Sequence, residues 1–502
     1  MSRPFVATNR IAGLAICSFL LFGCGGGYDS SAPTPPLGGD ASLASLSVTG
    51  ATLNPAFGPS VFSYTATVPN GTNSVDVFPT TADSLASFTI NGGSNATVPL
   101  VVGDNTISIV VTAENGTTTR TYTIVVSRAP LSTGPEICSG GSAGDFPCSG
   151  ISLSNRVSLE TMGGTVGNDI WGWSDALTGK EYALMGMTNG TAFVDITDPE
   201  VPVFLGRLPT QTGESIWRDI KVYRDHAYIV ADNAAAHGMQ VFDLTRLRGQ
   251  VAPQTFSADV VYGDFGTAHN IAINEDSGFA YAVGTNDCGG GLHIVDITTP
   301  ISPMFARCYS LTVTHDTQCV KYEGLDADHP NNPEICVSSN GDHVEIVDVT
   351  NKTAPVRISF TMYPESGFAH QGWLTEDHRF FLMGDEADEF SFSVPTRIHV
   401  FDVSDLDAPM YVFAYEAATA AIDHNLYVLG NRVFQASYTS GLRVLEFADL
   451  ANKQLMEIAF FDTFPASDAT DFSGAWSVYP YLPSGTIIVS DRSNGLFILS
   501  LQ

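Results

Sequence analysis

The second part of the chain repeats an apolar stretch that closes on an apolar-acid-apolar triplet. Seven copies follow one another at intervals of about 50 residues. They close on Val194-Asp195-Ile196, Phe242-Asp243-Leu244, Val295-Asp296-Ile297, Val347-Asp348-Val349, Phe401-Asp402-Val403, Leu445-Glu446-Phe447 and the degenerate Leu499-Ser500-Leu501. A period of this length predicts an array of repeated units, either a solenoid or a propeller.

Each copy contains short apolar stretches separated by turn residues, which predicts four β-strands per copy. A four-stranded unit repeated radially is a propeller blade, so the copies predict a seven-bladed β-propeller over residues 151–502. The last copy lacks a fourth strand, and residues 156–160 ahead of the first copy are expected to supply it. That pairing would leave no sheet edge exposed.

The acid of a closing triplet is commonly followed by Thr and Pro, as in Asp195-Ile196-Thr197-Asp198-Pro199. Asp and Thr side chains bond to the backbone of a turn, and Pro presets its φ angle. We therefore expect these acids to form turns, at the face of the array opposite the starts of the first strands.

Residues 41–128 show a different pattern, in which apolar and polar positions alternate as in half-buried strands. Asn70-Gly71, Gly92-Gly93 and Asn115-Gly116 separate the alternating runs and predict tight turns. Short strands at this spacing predict a β-sandwich. The predicted fold class is therefore all-β, with an N-terminal β-sandwich, a linker over 129–150 and the propeller.

The first residues are typical of an export signal rather than of folded structure. Arg3 and Arg10 precede an apolar run, and Leu21-Phe22-Gly23-Cys24 resembles a bacterial lipobox. This predicts a signal peptide over 1–23, lipidation of Cys24 and a flexible tether over 24–40. Gly25 favours the bacterial outer membrane, on its periplasmic or its cell-surface face. Ordinary secretion is the alternative.

Net charge indicates which partners are disfavoured, and the number of cysteines indicates whether they form disulfides. The chain has 22 Lys and Arg against 53 Asp and Glu, a formal net charge of -31, which disfavours nucleic acid as a partner. An even number of cysteines after Cys24 in an exported protein favours disulfides over thiol chemistry. Neighbours in sequence suggest the pairs Cys138–Cys148, Cys288–Cys308 and Cys319–Cys336.

Candidate chemistry lies where the first strand of each copy begins. Alignment on the closing triplets places His or Trp there in all seven copies: Trp171, Trp217, His269, His315, His370, His424 and Trp476. Because the first strands of a propeller line its channel in parallel, we expect these side chains to form a ring at the channel mouth.

Acidic and amide side chains are expected beside this ring. Positions near the ring carry Asp219, Asn270, Asp316, Gln371 and Asn425. Turns between second and third strands lie at the same end and carry Asp232, Asp287, Asp385, Glu386, Asp388 and Asp491. The run 385–389 lacks the spacing of a calcium loop, so we expect it to be an acidic, solvated loop.

Clustered imidazoles with carboxylates are ligands for divalent transition metals, so His269, His315, His370 and His424 are candidate metal ligands. Trp side chains suit stacking on sugars or flat apolar groups. The alternative is that His and Trp only fill the channel mouth. If the protein is an enzyme, which the sequence leaves open, His315 and His370 are candidate acid-base groups, oriented by Asp316 or Asp219.

Two family resemblances agree with this organisation. Leu43 to Arg128, with Leu46-Ser47-Val48 and Tyr122-Thr123-Ile124, resembles the bacterial cadherin-like β-sandwich, which implies a spacer or adhesive unit. Cys138 to Gln502 resembles the choice-of-anchor B family with LVIVD-type repeats, on Ala268-His269-Asn270-Ile271 and Leu292-His293-Ile294-Val295-Asp296-Ile297. That resemblance implies a propeller and a surface anchor and implies no activity.

Three functions follow as hypotheses. The first is a surface-anchored binding protein whose channel mouth binds a ligand, with a divalent metal ion as a candidate cofactor. The second is a metal-dependent hydrolase or lyase that uses the same histidines. The third is a structural surface protein that binds other proteins through its rims.

Overall fold

The computed structural model describes residues 36–502. The predicted signal peptide, Cys24 with its predicted lipidation, and most of the predicted tether lie outside these residues. The described chain is built from β-strands with two short α-helices, which confirms the all-β prediction. It divides into two compact units, one formed by the residues up to Val68 with Ser74–Ser127, the other by Pro69–Asn73 with Arg128–Gln502.

The first unit is a β-sandwich of two sheets. Its strands are β1 (Leu43–Val48), β2 (Ser63–Val68), β3 (Ser74–Thr81), β4 (Ser87–Ile90), β5 (Thr97–Pro99), β6 (Gly103–Thr112) and β7 (Thr119–Arg128). They pair in the orders β1-β3-β5 and β2-β7-β6-β4. Alternate residues of β6, namely Ile107, Ile109 and Val111, are fully buried, as the alternation of the sequence predicts.

The second unit contains the repeated sheets. Its first strands are β8 (Ser142–Ala143), β9 (Phe146–Ser149), β10 (Ile151–Val157), β11 (Gly167–Asp175), β12 (Lys180–Met187), β13 (Gly190–Asp195), β14 (Val203–Pro209), β15 (Arg218–Tyr223), β16 (His226–Ala231), β17 (Met239–Asp243), β18 (Gln254–Thr255) and β19 (Val260–Tyr262). Next come β20 (Asn270–Asn274), β21 (Phe279–Val283), β22 (Leu292–Asp296), β23 (Met304–Tyr309), β24 (Asp316–Lys321), β25 (Glu334–Ser339), β26 (Val344–Asp348), β27 (Val356–Thr361), β28 (Ala369–Leu374), β29 (Phe380–Asp385), β30 (Arg397–Asp402) and β31 (Met410–Glu416). The last are β32 (Leu426–Leu429), β33 (Arg432–Ala436), β34 (Leu442–Asp449), β35 (Gln454–Phe461), β36 (Ala475–Tyr479), β37 (Ile487–Asp491) and β38 (Gly495–Leu501). The α-helices are α1 (Leu159–Met162) and α2 (Asp388–Phe392), and Leu244–Leu247 and Cys288–Gly290 form short 3-10 helices.

These strands form seven sheets whose first strands are β11, β15, β20, β24, β28, β32 and β36. The pairing within the sheets is antiparallel except between β14 and β18, which are parallel. Each first strand contacts the first strand of the next sheet, and β36 contacts β11, so the sheets close into a ring. Apolar side chains fill the space between neighbouring sheets. Phe193 of the first sheet, for example, stacks on Phe242 of the second with ring centroids 4.7 Å apart.

The last sheet is completed from the other end of the array. β10 pairs antiparallel with β38, with Leu153 opposite Leu499 and Val157 opposite Leu496. The predicted closure therefore occurs, but the strand is Ile151–Val157 rather than residues 156–160. Residues 159–162 form α1 instead, because Ser158 caps the helix by accepting from the Thr161 N–H.

All three predicted disulfides are present: Cys138–Cys148, Cys288–Cys308 and Cys319–Cys336. The first lies in the segment expected to be a linker. Part of that segment is folded, because β9 pairs with β35 and extends the sixth sheet. Over residues 36–502, no helix has the length and apolar character needed to cross a membrane.

Candidate functional site at the channel mouth

Hydrogen bonds between neighbouring first strands fix which residues share a level of the channel. The Asp169 carboxylate accepts from the Ile220 N–H at 3.0 Å, and Asp219 accepts from the Ile271 N–H at 2.7 Å. The Gln371 side chain accepts from the Leu426 N–H at 2.8 Å. We call the level that contains Asp169, Asp219 and Gln371 the polar level. The residues one position earlier in the seven copies are Asn168, Arg218, His269, His315, His370, His424 and Trp476.

The four histidines and Trp476 form a continuous arc of rings at this level. Centroids lie 4.3 Å apart for His269 and His315, 4.5 Å for His315 and His370, and 4.3 Å for His370 and His424. Trp476 follows at 4.5 Å from His424. The structure thus brings together five of the seven residues that the alignment placed at the mouth.

The two remaining positions correct the alignment. Trp217 lies one residue before the level, which Arg218 occupies, and its ring is 6.5 Å from that of His269. Trp171 is not at the mouth. It lies inside β11 and packs on Tyr479 at 4.9 Å, because this first strand begins four residues before Trp171. Asn168 takes its place at the level of the histidines.

Two carboxylates meet the histidines directly. Asp232 lies 3.0 Å from His269 Nδ1. Glu386 lies 3.7 Å from His370 Nε2 through one oxygen and 3.5 Å from His424 Nε2 through the other. Both acids come from the turns between second and third strands, as the sequence predicted.

Asp219 and Asp316 do not orient the histidines, contrary to the expectation for an acid-base site. Asp219 bonds to the Lys221 ammonium at 2.6 Å, and Asp316 accepts from the Asn270 side chain at 3.2 Å. Both lie one level further along the channel, because each follows the residue at the level of the histidines by one position in the sequence. Burial raises the pKa of Asp316 to about 7.

Other acids of the same turns have structural partners. Asp385 accepts from the Tyr363 hydroxyl at 2.6 Å and from the Gly367 N–H at 2.7 Å. Asp491 accepts from the Ser493 N–H at 2.8 Å, and Asp287 lies 3.2 Å from His293. These contacts hold turns in place and leave Glu386 and Asp232 as the acids of the mouth.

Three histidines of the arc, His315, His370 and His424, are neutral bases. Burial lowers the pKa of His370 and His315 well below the usual range and that of His424 to about 3. His424 Nδ1 bonds to the Trp476 carbonyl, which can only accept, so Nδ1 carries the proton and Nε2 has a free lone pair. That lone pair is on the ring nitrogen next to Glu386.

Two further ring nitrogens are buried without partners. His370 Nδ1 and His315 Nε2 have no hydrogen-bond partner within the described part of the chain. Burial also raises the pKa of Glu386 to about 7, although its carboxylate accepts from the Tyr438 hydroxyl at 2.8 Å. The mouth therefore concentrates unsatisfied ring nitrogens in a buried setting.

The ligand atoms of His370, Glu386 and His424 all lie within 4.8 Å of one another. His269 and His315 are not part of this group, so the expected set of four imidazoles is not a single metal cluster. The cavity between His269, His370 and His424 has room for about one water molecule or ion. It does not admit a sugar ring between the two tryptophans.

A second cavity lies along the channel beyond the polar level. Its volume is about 110 Å³, and side chains from six first strands line it, among them Trp171, Trp373, Tyr427 and Lys221. Lys221 Nζ lies 4.5 Å from the centre of the Trp171 ring. The sequence analysis did not identify Trp373 and Tyr427, although Trp373 lies in the first strand β28 and Tyr427 lies in the first strand β32.

The acidic run 385–389 is not a solvated loop. Asp388 and Glu389 begin α2 and are 0% and 3% exposed, and Asp423 of the next repeat, 1% exposed, approaches them. The expectation was wrong because the run folds inward between the fifth and sixth sheets.

Comparisons with known proteins agree with the two-part architecture. Residues 43–129 match the family model described as a cadherin-like beta sandwich domain, and residues 265–310 match the LVIVD repeat. The first match confirms the cadherin-like resemblance, and the second confirms that LVIVD-type repeats are present. A search of the curated proteins finds no match.

Several solved structures are similar to this chain at low identity. One is a protein from Lactobacillus plantarum, with 12% identity and a TM-score of 0.44, covering 65% of this chain and 89% of that chain. Another is a β-propeller domain from Myceliophteria thermophila, with 12% identity and a TM-score of 0.44, covering 70% and 99%. A third is a chain of the COPII outer coat vertex on membranes, with 9% identity and a TM-score of 0.49, covering 67% and 85%.

Proposed function

We propose that this protein is a surface-anchored binding protein whose channel mouth holds a divalent transition metal ion through His370, His424 and Glu386. The observation that carries the proposal is the convergence of two neutral imidazoles and one carboxylate with their ligand atoms within 4.8 Å. Two nitrogens and one oxygen form a ligand set that suits zinc and related ions.

Features around the three residues support metal binding. The Trp476 carbonyl holds His424 in the tautomer that directs a lone pair at the ion, and the Tyr438 hydroxyl orients Glu386. Such outer contacts are typical of protein metal sites. Three protein ligands leave a coordination position free, so a ligand from solution can complete the site while Trp217 contacts it at the rim.

The anchoring part of the proposal rests on the N-terminal sequence. The lipobox-like Leu21-Phe22-Gly23-Cys24 and the choice-of-anchor B resemblance support an exported lipoprotein held at the outer membrane through Cys24. In this proposal the β-sandwich is the spacer, and the repeated sheets present the mouth to a small ligand or a partner protein.

Metal content tests the proposal most directly. The full chain is purified, exchanged against zinc-containing buffer, desalted, and measured for bound metal by mass spectrometry beside the double variant His370→Ala/His424→Ala. We expect about one ion per chain that is lost in the variant. A double variant of two histidines outside the arc, His329→Ala/His343→Ala, is the matched control and should retain the ion. Equal metal in all three proteins would overturn the proposal.

A free coordination position is also the arrangement of catalytic zinc, so a metal-dependent hydrolase or lyase is the second candidate function. Turnover of ester and glycoside substrates by the metal-loaded protein separates the two. Binding without turnover supports the first function. Turnover that disappears in Glu386→Gln supports the second.

A further inference from the structure

A second group of carboxylates lies at α2, apart from the three mouth residues. Asp388 and Glu389 open this helix, and Asp423 lies just before the first strand of the next sheet. One oxygen from each of the three lies within 4.8 Å of the others, and none of the three residues is more than 3% exposed.

Most of the oxygens in this group have no partner. Both oxygens of Asp423, Oδ1 of Asp388 and Oε2 of Glu389 lack a hydrogen-bond partner among residues 36–502. The contacts that do exist are few. Glu389 Oε1 accepts from the Asp423 N–H at 3.2 Å, and Asp388 Oδ2 lies 3.3 Å from His399 Nε2.

The protein supplies too little positive charge for three buried carboxylates. Arg397 is 3.7 Å from Asp388, but its guanidinium also lies 2.8 Å from Glu365 and 3.6 Å from Glu416. Burying an unpaired carboxylate is unfavourable, so such groups are paired, protonated or bound to metal. Burial and the neighbouring acids raise the pKa of Asp423 well above its ordinary value, in keeping with this deficit.

We propose that Asp388, Glu389 and Asp423 bind a hard divalent cation, Ca²⁺, inside the fold. The site offers only oxygen atoms, and Ca²⁺ takes six to eight oxygens in flexible geometry, carboxylates among them. Zinc prefers nitrogen and sulfur. Mg²⁺ keeps several waters, for which a site closed by three buried side chains has less room.

The backbone is shaped to bring Asp423 into the group. A Cβ atom on Gly384 would lie 2.0 Å from Asp423 Oδ2, so only glycine allows this carboxylate to lie against β29.

The ion would also connect two residues that are close to the mouth ligands in sequence. Asp423 adjoins His424, and Asp388 follows Glu386 by two residues. The calcium site does not depend on the proposed function, since it uses none of the three mouth ligands.

The experiment measures calcium binding and thermal unfolding of the full chain after bound metal has been removed with chelator. We expect one Ca²⁺ per chain by titration calorimetry and a higher Tm with Ca²⁺ than with chelator. Asp423→Asn should weaken binding at least tenfold and abolish the calcium-dependent rise in Tm. In chelator the same variant should unfold at the Tm of the wild type or above it, because it removes a buried charge.

Controls separate this site from others. Asp326→Asn changes an acid of the Asp326, His329 and Asp407 group and should bind Ca²⁺ as the wild type does. The mouth variant His370→Ala/His424→Ala should also keep calcium, so this proposal and the transition-metal proposal can fail separately. If Asp423→Asn does not fold, Glu389→Gln replaces it. Absence of calcium binding, or equal binding by Asp423→Asn or its replacement, would overturn the proposal.

Discussion

The hydroxyl of Tyr438 gives the sharpest test of the mouth, because it touches Glu386 and not the proposed ion. It donates to Glu386 Oε1 at 2.8 Å, and the side chain is 1% exposed. Burial raises the pKa of Tyr438 well above its usual range, so the O–H stays intact in any ordinary buffer. Tyr438→Phe removes this donor and keeps the ring that packs 4.9 Å from His424.

The expected cost follows from the role of such contacts. Loss of an outer partner of a metal ligand weakens metal affinity by about 10- to 100-fold, or about 1.4 to 2.7 kcal/mol. Loss of a hydrogen bond to a charged acceptor costs about 1.5 to 3 kcal/mol of unfolding free energy. The variant should therefore bind zinc more weakly and still fold.

Competition titration with a zinc indicator at pH 7.5 measures the affinity, and urea unfolding measures the stability. Tyr228→Phe is the matched control, since the Tyr228 hydroxyl is buried with no partner in the described residues. It should leave zinc affinity unchanged. The reasoning is refuted if Tyr438→Phe binds zinc like the wild type, or if both variants lose affinity equally.

Two further predictions concern stability. Burial raises the pKa of Asp462 from 3.8 to about 7, so the wild type loses stability as pH rises through this range and Asp462→Asn does not. Each pKa unit by which folding raises this pKa changes the free energy of unfolding by about 1.36 kcal/mol. In urea unfolding, Asp462→Asn should therefore be no more stable than the wild type at pH 3.5 and more stable by at most about 4 kcal/mol at pH 8. A difference that does not change with pH would contradict this. Phe497→Ala should cost about 3 to 5 kcal/mol, because Phe497 in the closing sheet is fully buried 5.2 Å from Phe146 and 6.0 Å from Phe461. Phe390→Ala, whose ring is 49% exposed, should change unfolding far less, and equal losses would contradict the packing argument.

The sheets were predictable because each repeat carries its own turn chemistry. Asp195 accepts from the Thr197 N–H at 3.0 Å and from its hydroxyl at 2.6 Å, and Asp296 does the same with Thr298. These acids form turns, as predicted. A local signal of this kind needs no knowledge of the rest of the fold.

Which residues share a level of the channel was harder to predict, because the closing triplets locate only the third strand of each sheet. First strands vary in length: β11 has nine residues, and β20 has five. An alignment on the triplets therefore placed Trp171 at the mouth, although hydrogen bonds across the sheets put Asn168 there. The four histidines were placed correctly because each lies close to the residue at which its first strand begins.

The buried acids were hidden for a different reason. In a chain with 53 acidic residues, an acidic run looks solvated unless the fold shows what covers it. Asp423 meets Asp388 across two sheets, 35 positions apart, and no local pattern connects them. The sequence did contain one signal. Eleven residues separate β29 from β30, whereas two to eight residues separate the second and third strands of the other sheets. An insertion of this kind has no counterpart in the other sheets, so its polar residues deserve examination as a candidate site.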